Sequence, residues 1–465
     1  MSRSDDLLLE AIERTAEVIK PILKNRKVKL LTQFDTDGLT AASIIIKMLV
    51  REGVNFESRV YKQLTSEVID SLFINEYDLL ILTDFGSGQL NLLKNIIDKN
   101  NVLILDHHEP IEFKHENLFH INPLLFGEDE LSSSIICYLL AKSINIKNMD
   151  LIDLAVIGAV ADVVEEKWEF KGFAKKIFDE AGLISKISVT KGLRLYGRNT
   201  RPIYQSLAYT VDPFIPGISG SESHAVQFLS EIGINLKSGG EWKKLKDLNI
   251  EEQQKLASAI IRERIGIEEA AEDVFGDIYT ILGRPDELQD VREFSTLINS
   301  CGRMGSSSLG IRLCLGDYSI LENSMDVFSQ YRKAISNGLN CVREKKDFLH
   351  NTNLATYILA GSNIPDTIIG TISSIVLNSN LVETKPLFGL ADSDNGNVKV
   401  SARLPRNLEI NLREVLVKAV KQIDDKAEAG GHMLAAGAFI PKGKEDEFIK
   451  IVDKILGDTI GNKEV

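Results

Sequence analysis

Val102-Leu103-Ile104-Leu105-Asp106-His107-His108 runs four apolar, β-prone residues into a carboxylate and two imidazoles. A strand ending this way delivers candidate metal ligands to the carboxyl edge of a sheet, where open α/β folds keep their active sites. A turn carrying polar residues would look the same in isolation. The residues on either side decide between the two.

Upstream, short β-type runs alternate with helical stretches. An amphipathic segment Leu7 to Ile22 precedes Lys27 to Thr32, a helical Thr40 to Arg51, Leu79 to Thr83, a helical Leu90 to Asp98, and then Val102 to Leu105. A further helix is expected over Met149 to Val163. Such alternation predicts a parallel sheet with crossover helices. Residues 170 to 320 are less regular, with turn-rich stretches at Tyr196 to Pro202 and Asp212 to Gly217, and Ser324 to Asn351 reads as one long polar helix. A second α/β pattern follows, with β-type runs at Leu354 to Leu359, Val398 to Ala402 and Ala435 to Ile440, and helices at Gly370 to Leu377 and Leu412 to Ile423. The expected division is therefore 1–168, 169–323, 324–351 and 352–465. These are a parallel-sheet catalytic domain, a helical or irregular region completing it, a linker helix and a smaller α/β domain.

Composition bounds the partners. The chain has 465 residues, 44% hydrophobic and 26% charged, enough for more than one core. No secretory signal and no membrane-length apolar run is visible, so a soluble cytoplasmic protein is expected. Cys137, Cys301, Cys314 and Cys341 are scattered without a C-x-x-C pair and read as core thiols. The net charge of −13 would ordinarily argue against a polyanionic partner. That average includes any carboxylates that a bound cation would neutralise, and it leaves room for a local basic groove.

The candidate chemistry sits at successive element ends. Lys27 to Thr32 is followed by Gln33-Phe34-Asp35-Thr36-Asp37-Gly38, Leu79 to Thr83 by Asp84-Phe85-Gly86, and the apolar run Ala155 to Ala161 by Asp162. Singly, each Asp would be read as a cap or turn residue. In order, together with His107, they form an oxygen and nitrogen donor set suited to Mn2+ or Mg2+, and a shared carboxylate can hold two such ions roughly 3.5–4 Å apart.

Asp35-x-Asp37-Gly38, Asp84-x-Gly86, Asp106-His107-His108 and Asp162 resemble the ordered motifs of the DHH phosphoesterase superfamily. Gly430-Gly431-His432-Met433-Leu434-Ala435-Ala436-Gly437 resembles the signature of its companion DHHA1 domain. Arg198 to Pro202, Asp212 to Gly217, Ala225 to Leu229 and Asn299 to Gly305 are similar to the archaeal RecJ-like branch, which includes the GINS-associated nuclease.

The resemblance implies a two-metal phosphodiesterase with Mn2+ preferred and Mg2+ possible. Asp84 would bridge, Asp35 would serve the first ion, and Asp37, His107 and Asp162 the second. His108 would face the scissile phosphate and Asp106 would orient its neighbours. Arg403, at the end of Ser401-Ala402-Arg403, would bind a phosphate with Gly430, Gly431 and His432, and Arg303 is a second candidate. The activity implied is single-strand exonucleolysis in replication or repair, with the smaller domain closing over the strand. Two alternatives share the motifs: a scaffold that binds GINS and the MCM helicase, and a hydrolase of oligonucleotides or cyclic dinucleotides.

Gln33 departs from the pattern, since many family members carry His there. A neutral amide oxygen is a poorer ligand than imidazole, which would weaken the first site; Gln33 could instead hydrogen-bond a neighbour. Two further ambiguities remain open. Gly430-Gly431 fits either a phosphate cradle or a plain turn into the next strand. Lys191, Arg194, Arg198 and Arg201, interleaved with Tyr196 and Tyr204, fit either a single-strand track or ordinary loop charge. His115, His120, His224 and His350 lack ligand-like spacing, and Glu268 to Asp273 reads as a solvated helical face.

Overall fold

The computed structural model describes residues 3–24, 26–72, 77–128, 131–162, 170–210, 213–266, 271–344, 348–378, 381–393, 396–405, 407–424 and 429–461. The chain divides into two compact units, Met1–Ser324 and Met325–Val465.

The first unit opens with α1 (Arg3–Leu23), β1 (Lys27–Gln33), α2 (Thr36–Arg51), β2 (Asn55–Tyr61), α3 (Ser66–Asp70), β3 (Leu79–Thr83), α4 (Leu90–Ile97), β4 (Asn101–Leu105) and β5 (Leu118–Ile121). The five strands form a parallel sheet in the order β2-β1-β3-β4-β5. All of β3 is buried, as a strand covered on both faces must be, and hence it reads as an unbroken apolar run. The order reverses at β1, so the loops after β1 and β3 leave the sheet side by side.

Helices α5 (Ser133–Ile144) and α6 (Ile152–Ala161) pack on α2 and on each other. Ten of the twelve residues of α5 are buried. An all-round apolar helix has no amphipathic stripe, so periodicity does not reveal it. Asp162 is the C-cap of α6. Val163, the expected end of that helix, lies outside the described residues.

The stretch expected to be helical or irregular contains helices, irregular segments and short strands. After α7 (Gly172–Leu183), β6 (Ile187–Leu193), α8 (Ile203–Tyr209), α9 (Glu222–Glu231), β7 (Lys237–Ser238), β8 (Glu241–Trp242) and α10 (Ile250–Arg264) comes β9 (Phe275–Ile281), which pairs antiparallel with β6. Leu207, Leu229, Leu256 and Ile260 are among the residues that give this region its own core. The turn at 196–201 is present. Asp212 of the second expected turn, and residues 268–270 of the acidic stretch, lie outside the described residues. Helices α11 (Val291–Arg303) and α12 (Ser307–Cys314) then return to pack on α2.

The helix expected over Ser324 to Asn351 is corrected at both ends. It runs as α13 (Leu321–Glu344), and Leu349–Asn351 is instead a strand, β10, hydrogen-bonded antiparallel to β11 (Thr356–Gly361). Ladder pairing overrides the helical composition there, as tertiary context can. The second unit continues with α14 (Ile369–Leu377), β12 (Leu387–Asp392), β13 (Asn397–Arg403), α15 (Leu412–Ile423), β14 (Ala429–Gly431), β15 (Ala435–Pro441) and α16 (Glu445–Gly461). Its sheet, β10-β11-β12-β13-β15-β14, is mixed, with β11 and β12 parallel and the other pairs antiparallel. Tyr357, Phe388 and Phe448 anchor the core between that sheet and α15 and α16.

Candidate metal centre

The first unit gathers Asp35, Asp37, Asp84, Asp106, His107, His108 and Asp162 at the carboxyl ends of β1, β3 and β4 and the C-terminus of α6. Asp35 is the N-cap of α2 and accepts the Gly38 N–H at 3.1 Å. Thr32 ties the same turn down by donating to the Gly38 carbonyl at 2.6 Å. A Cβ on Gly38 would stand 2.5 Å from the Gln33 carbonyl oxygen, so the turn needs glycine.

Asp37 is buried, and its carboxylate accepts the main-chain N–H of Ser133 at 2.7 Å and of Ser134 at 3.0 Å. These are the first residues of α5, so a helix N-terminus faces the carboxylate and partly offsets its charge. On the other side α6 approaches so closely that a Cβ on Gly158 would lie 2.1 Å from Ser134 Oγ and 2.6 Å from Asp37 Oδ1. Ser133, Ser134 and Gly158 carry no charge, and motif reading passed over them. A buried helix opening in Ser132-Ser133-Ser134 was the available signal.

Asp84 adopts φ +64°, an uncommon conformation for a residue with a side chain. Its N–H donates to the Leu105 carbonyl at 3.0 Å, and its own carbonyl accepts from Gln33 Nε2 at 3.2 Å. Gln33 therefore hydrogen-bonds a neighbour, the alternative that the sequence left open. One Asp84 oxygen accepts from Ser133 Oγ at 3.2 Å, while Oδ2, fully buried, has no hydrogen-bond partner among the described residues.

His107 lies between two carboxylates, its Nε2 3.4 Å from Asp84 Oδ1 and its Nδ1 3.3 Å from Asp162 Oδ2. Donor atoms of Asp37, Asp84 and His107 lie within 4.8 Å of one another. Asp84, Asp106 and His108 form a second such group. Asp106, however, is saturated: Oδ2 accepts the Ser87 N–H at 2.9 Å, and Oδ1 accepts the N–H of His107 at 2.8 Å, that of His108 at 3.2 Å, and faces His108 Nδ1 at 2.8 Å. That occupancy suits it to orienting imidazoles. Behind it, Asn122 donates to Ser87 Oγ at 2.9 Å and to the His108 carbonyl at 2.7 Å, and Ser87 Oγ also meets His120 Nε2 at 2.8 Å.

The electrostatics follow from this crowding. Burial, and then the neighbouring Asp35 and Asp37, pushes Asp84 well above the usual carboxylate range. Burial likewise raises Asp37, and raises Asp162 to about 6. Against its own burial, Asp106 is held low by the His108 ring. His108, also against burial, is lifted to about 9, chiefly by Asp106. Clustered buried carboxylates with an unsatisfied oxygen, joined by an imidazole, are a donor set that fits a hard divalent cation such as Mn2+ or Mg2+.

Arg303 lies beside this site, with its guanidinium 5.5 Å above the Phe34 ring and Nε bonded to Asn299 Oδ1 at 3.0 Å. The residues of the basic stretch make protein contacts of their own. Arg194 is buried and donates to the Asp273 carbonyl, Lys191 pairs with Asp277, and Arg201 lies over Tyr196 and Tyr209. Burial lowers the Arg198 pKa, against the opposing pull of Asp290 and Glu293.

In the second unit, Arg403 Nε donates to Ser374 Oγ at 2.8 Å, and α14 passes close enough that a Cβ on Gly370 would be 2.8 Å from Arg403 Nη2 and 2.9 Å from Ser401 Oγ. Arg403 is in register with Ala435, at the end of the hairpin that begins at Gly431 and His432. Gly431 has φ +120°, and a Cβ there would meet the Ala435 carbonyl oxygen at 2.4 Å, so the hairpin alone requires it. A Cβ on Gly430 would meet nothing within 4 Å. His432 is exposed.

A parallel sheet with acidic and histidine side chains at its carboxyl edge, followed by a separate mixed-sheet unit, is the architecture of a DHH phosphoesterase, and sequence comparison agrees. Residues 27–161 match the DHH family N-terminal domain, 195–275 the DHH-CID domain and 351–458 the DHHA1 domain. The chain belongs to the DHH superfamily, and its fold is like that of RecJ. An uncharacterized protein of Methanocaldococcus jannaschii is 32% identical over 97% of this chain and 99% of its own length.

Among solved structures, RecJ from Thermus thermophilus in complex with Mn2+ superposes with TM-score 0.60 at 16% identity, covering 96% of this chain. This chain spans only 55% of that RecJ. CDC45 from Entamoeba histolytica gives TM-score 0.67 at 12% identity, covering 96% of this chain and 99% of its own. An exonuclease RecJ bound to manganese gives 0.57 at 16% identity, covering 96% and 94%. At such identities the likeness concerns the fold.

Proposed function

We propose that the chain is a metal-dependent phosphodiesterase that trims single-stranded DNA or RNA from an end, in replication or repair, in the cytoplasm. The observation that carries this reading is the intact donor set around Asp84, whose buried Oδ2 lacks a hydrogen-bond partner among the described residues. In this reading Asp84 would be shared by two cations, the first held with Asp35 and the second with Asp37, His107 and Asp162. Mn2+ is preferred and Mg2+ is an alternative. Bound cations of this kind lower the pKa of water and stabilise charge on phosphoryl oxygens.

The remaining residues hold and orient. Asp106 fixes the His108 ring through Nδ1 and, against burial, raises its pKa, so that the ring would donate toward a phosphate oxygen. Ser87 and Asn122 keep Asp106 and the His108 main chain in place. Arg403, backed by Ser374, offers a guanidinium to a second phosphate, with Gly430, Gly431 and His432 beside it, and Arg303 flanks the first site.

Incubating end-labelled single-stranded DNA and RNA with Mn2+ or Mg2+, beside an Asp84→Ala control, tests this. Shortened product is expected only with metal and only from the unsubstituted protein; no product from either nucleic acid would overturn the reading. A second reading, a replication scaffold partnering GINS and the MCM helicase, draws on the fold likeness to CDC45. An oligonucleotide or cyclic-dinucleotide hydrolase is less well supported, because residues 195–274 form a separately cored insertion beyond what a compact enzyme needs.

A further inference from the structure

α11 lies outside all three matched stretches, yet it packs directly on the loop that carries Asp35 and Asp37. A Cβ on Gly302 would fall 1.7 Å from the Phe34 carbonyl oxygen and 2.9 Å from its carbon, so this helix and that loop touch backbone to backbone. One residue onward, Arg303 covers the Phe34 ring. Two turns earlier, the Ser295 carbonyl accepts the Thr36 hydroxyl at 2.8 Å, a buried bond spanning 259 residues of sequence. The loop is thus held on both sides of Asp35, at Phe34 and at Thr36. The opposite end of α11 is itself fixed: Asp290 caps it through the N–H groups of Arg292 and Glu293, and Thr200 donates to Glu293 at 3.2 Å.

We infer that Gly302 and Ser295 of α11 are positioning residues for the Phe34–Asp37 loop, setting where its carboxylates stand and hence how tightly the centre binds a divalent cation. Any side chain at 302 must shift α11 and the Phe34–Asp35 main chain relative to one another, because the obstructing atom is main chain and cannot rotate aside. Residues that only orient ligands commonly change metal affinity by roughly 10–100-fold when replaced. The consequence for metal binding rests on the proposed role of Asp35 and Asp37; the consequence for loop order does not.

The test uses the full chain, with Gly302→Ala, the milder Thr36→Val, and Ser300→Ala as a control. Ser300 is buried in the same helix, but its hydroxyl bonds only within it, to the Leu297 carbonyl. Two quantities are measured: amide hydrogen exchange over residues 33–39 without metal, and Mn2+ affinity by equilibrium dialysis. Gly302→Ala and Thr36→Val should speed exchange in that loop and weaken Mn2+ binding by roughly tenfold or more, while Ser300→Ala leaves both unchanged. Where nuclease activity is measured, excess Mn2+ should restore kcat in Thr36→Val with the substrate KM unchanged. Unaltered loop exchange in both variants would overturn the inference, as would equal losses in Ser300→Ala. Faster exchange in a protein that binds no Mn2+ even unsubstituted would uphold the positioning role and refute the metal reading instead.

Discussion

Asp37 accepts the main-chain N–H of Ser133 at 2.7 Å across 96 residues of sequence, so a candidate ligand also serves as the counter-charge for the N-terminus of α5. Truncation at this position should be destabilising even without metal. Asp37→Ala strands two buried N–H groups, each costing about 1–3 kcal/mol when unsatisfied. Thermal melts in EDTA should show a clear loss of Tm, and Mn2+ should no longer raise it.

Asp84 should behave in the opposite way. Its folded pKa is raised, so without metal the folded state holds a proton that the unfolded chain releases above the ordinary carboxylate pKa. Stability contributed by this group is therefore lost as pH rises through that window. Asp84→Asn should raise the Tm of metal-free protein at pH 8 by roughly 1–2 °C for each kcal/mol relieved. The same substitution should abolish Mn2+-induced stabilisation. A lower Tm in EDTA would contradict this account.

Gln33 donates to the Asp84 carbonyl instead of presenting an imidazole to the centre. Gln33→His should lower the Mn2+ concentration needed for half-maximal activity by about one order of magnitude, a difference of about 1.4 kcal/mol. Titration of both proteins against Mn2+ reads this directly. Identical curves would mean that residue 33 takes no part in metal binding.

His108 should separate chemistry from metal binding. His108→Gln keeps a hydrogen-bonding side chain but cannot carry a positive charge, and a positioned proton donor contributes about 10²–10⁴-fold. kcat should fall by that order while the Mn2+ affinity from calorimetry changes little.

Glu293 supplies a pH effect remote from the metal centre. It is 8% exposed, and burial, with Asp290 adding to it, lifts its pKa to about 8. A raised acid favours folding while protonated, so its contribution is complete below the unfolded value and declines as pH climbs toward 8. Glu293→Gln should flatten the fall of Tm between pH 5 and 8, with the largest gain at the alkaline end. Melts at half-unit pH steps would check it.

The sheet and its candidate ligands were legible because their signals are local. Buried parallel strands spell themselves out as runs such as Leu79 to Thr83, and chemistry-bearing residues follow where the strands stop. What supports those ligands was not legible. α5 is buried all round and so lacks a period, and β2 is a partly exposed edge strand without an apolar run. Ser133 acts through its main chain, and Gly302 through the absence of a side chain, neither of which leaves a motif. The contacts of Arg194 and Arg201 were equally illegible, because composition marks a charge but not the carbonyl or ring beside it.

The left-handed backbone at Asp84 has a further consequence. Asparagine tolerates that conformation about as readily as aspartate, whereas most other residues resist it. The centre's most consequential charge therefore sits where one amide replacement meets no backbone opposition. Under the proposed function, that single change would silence the centre with the fold intact, which makes residue 84 the position to read first when comparing relatives of this protein.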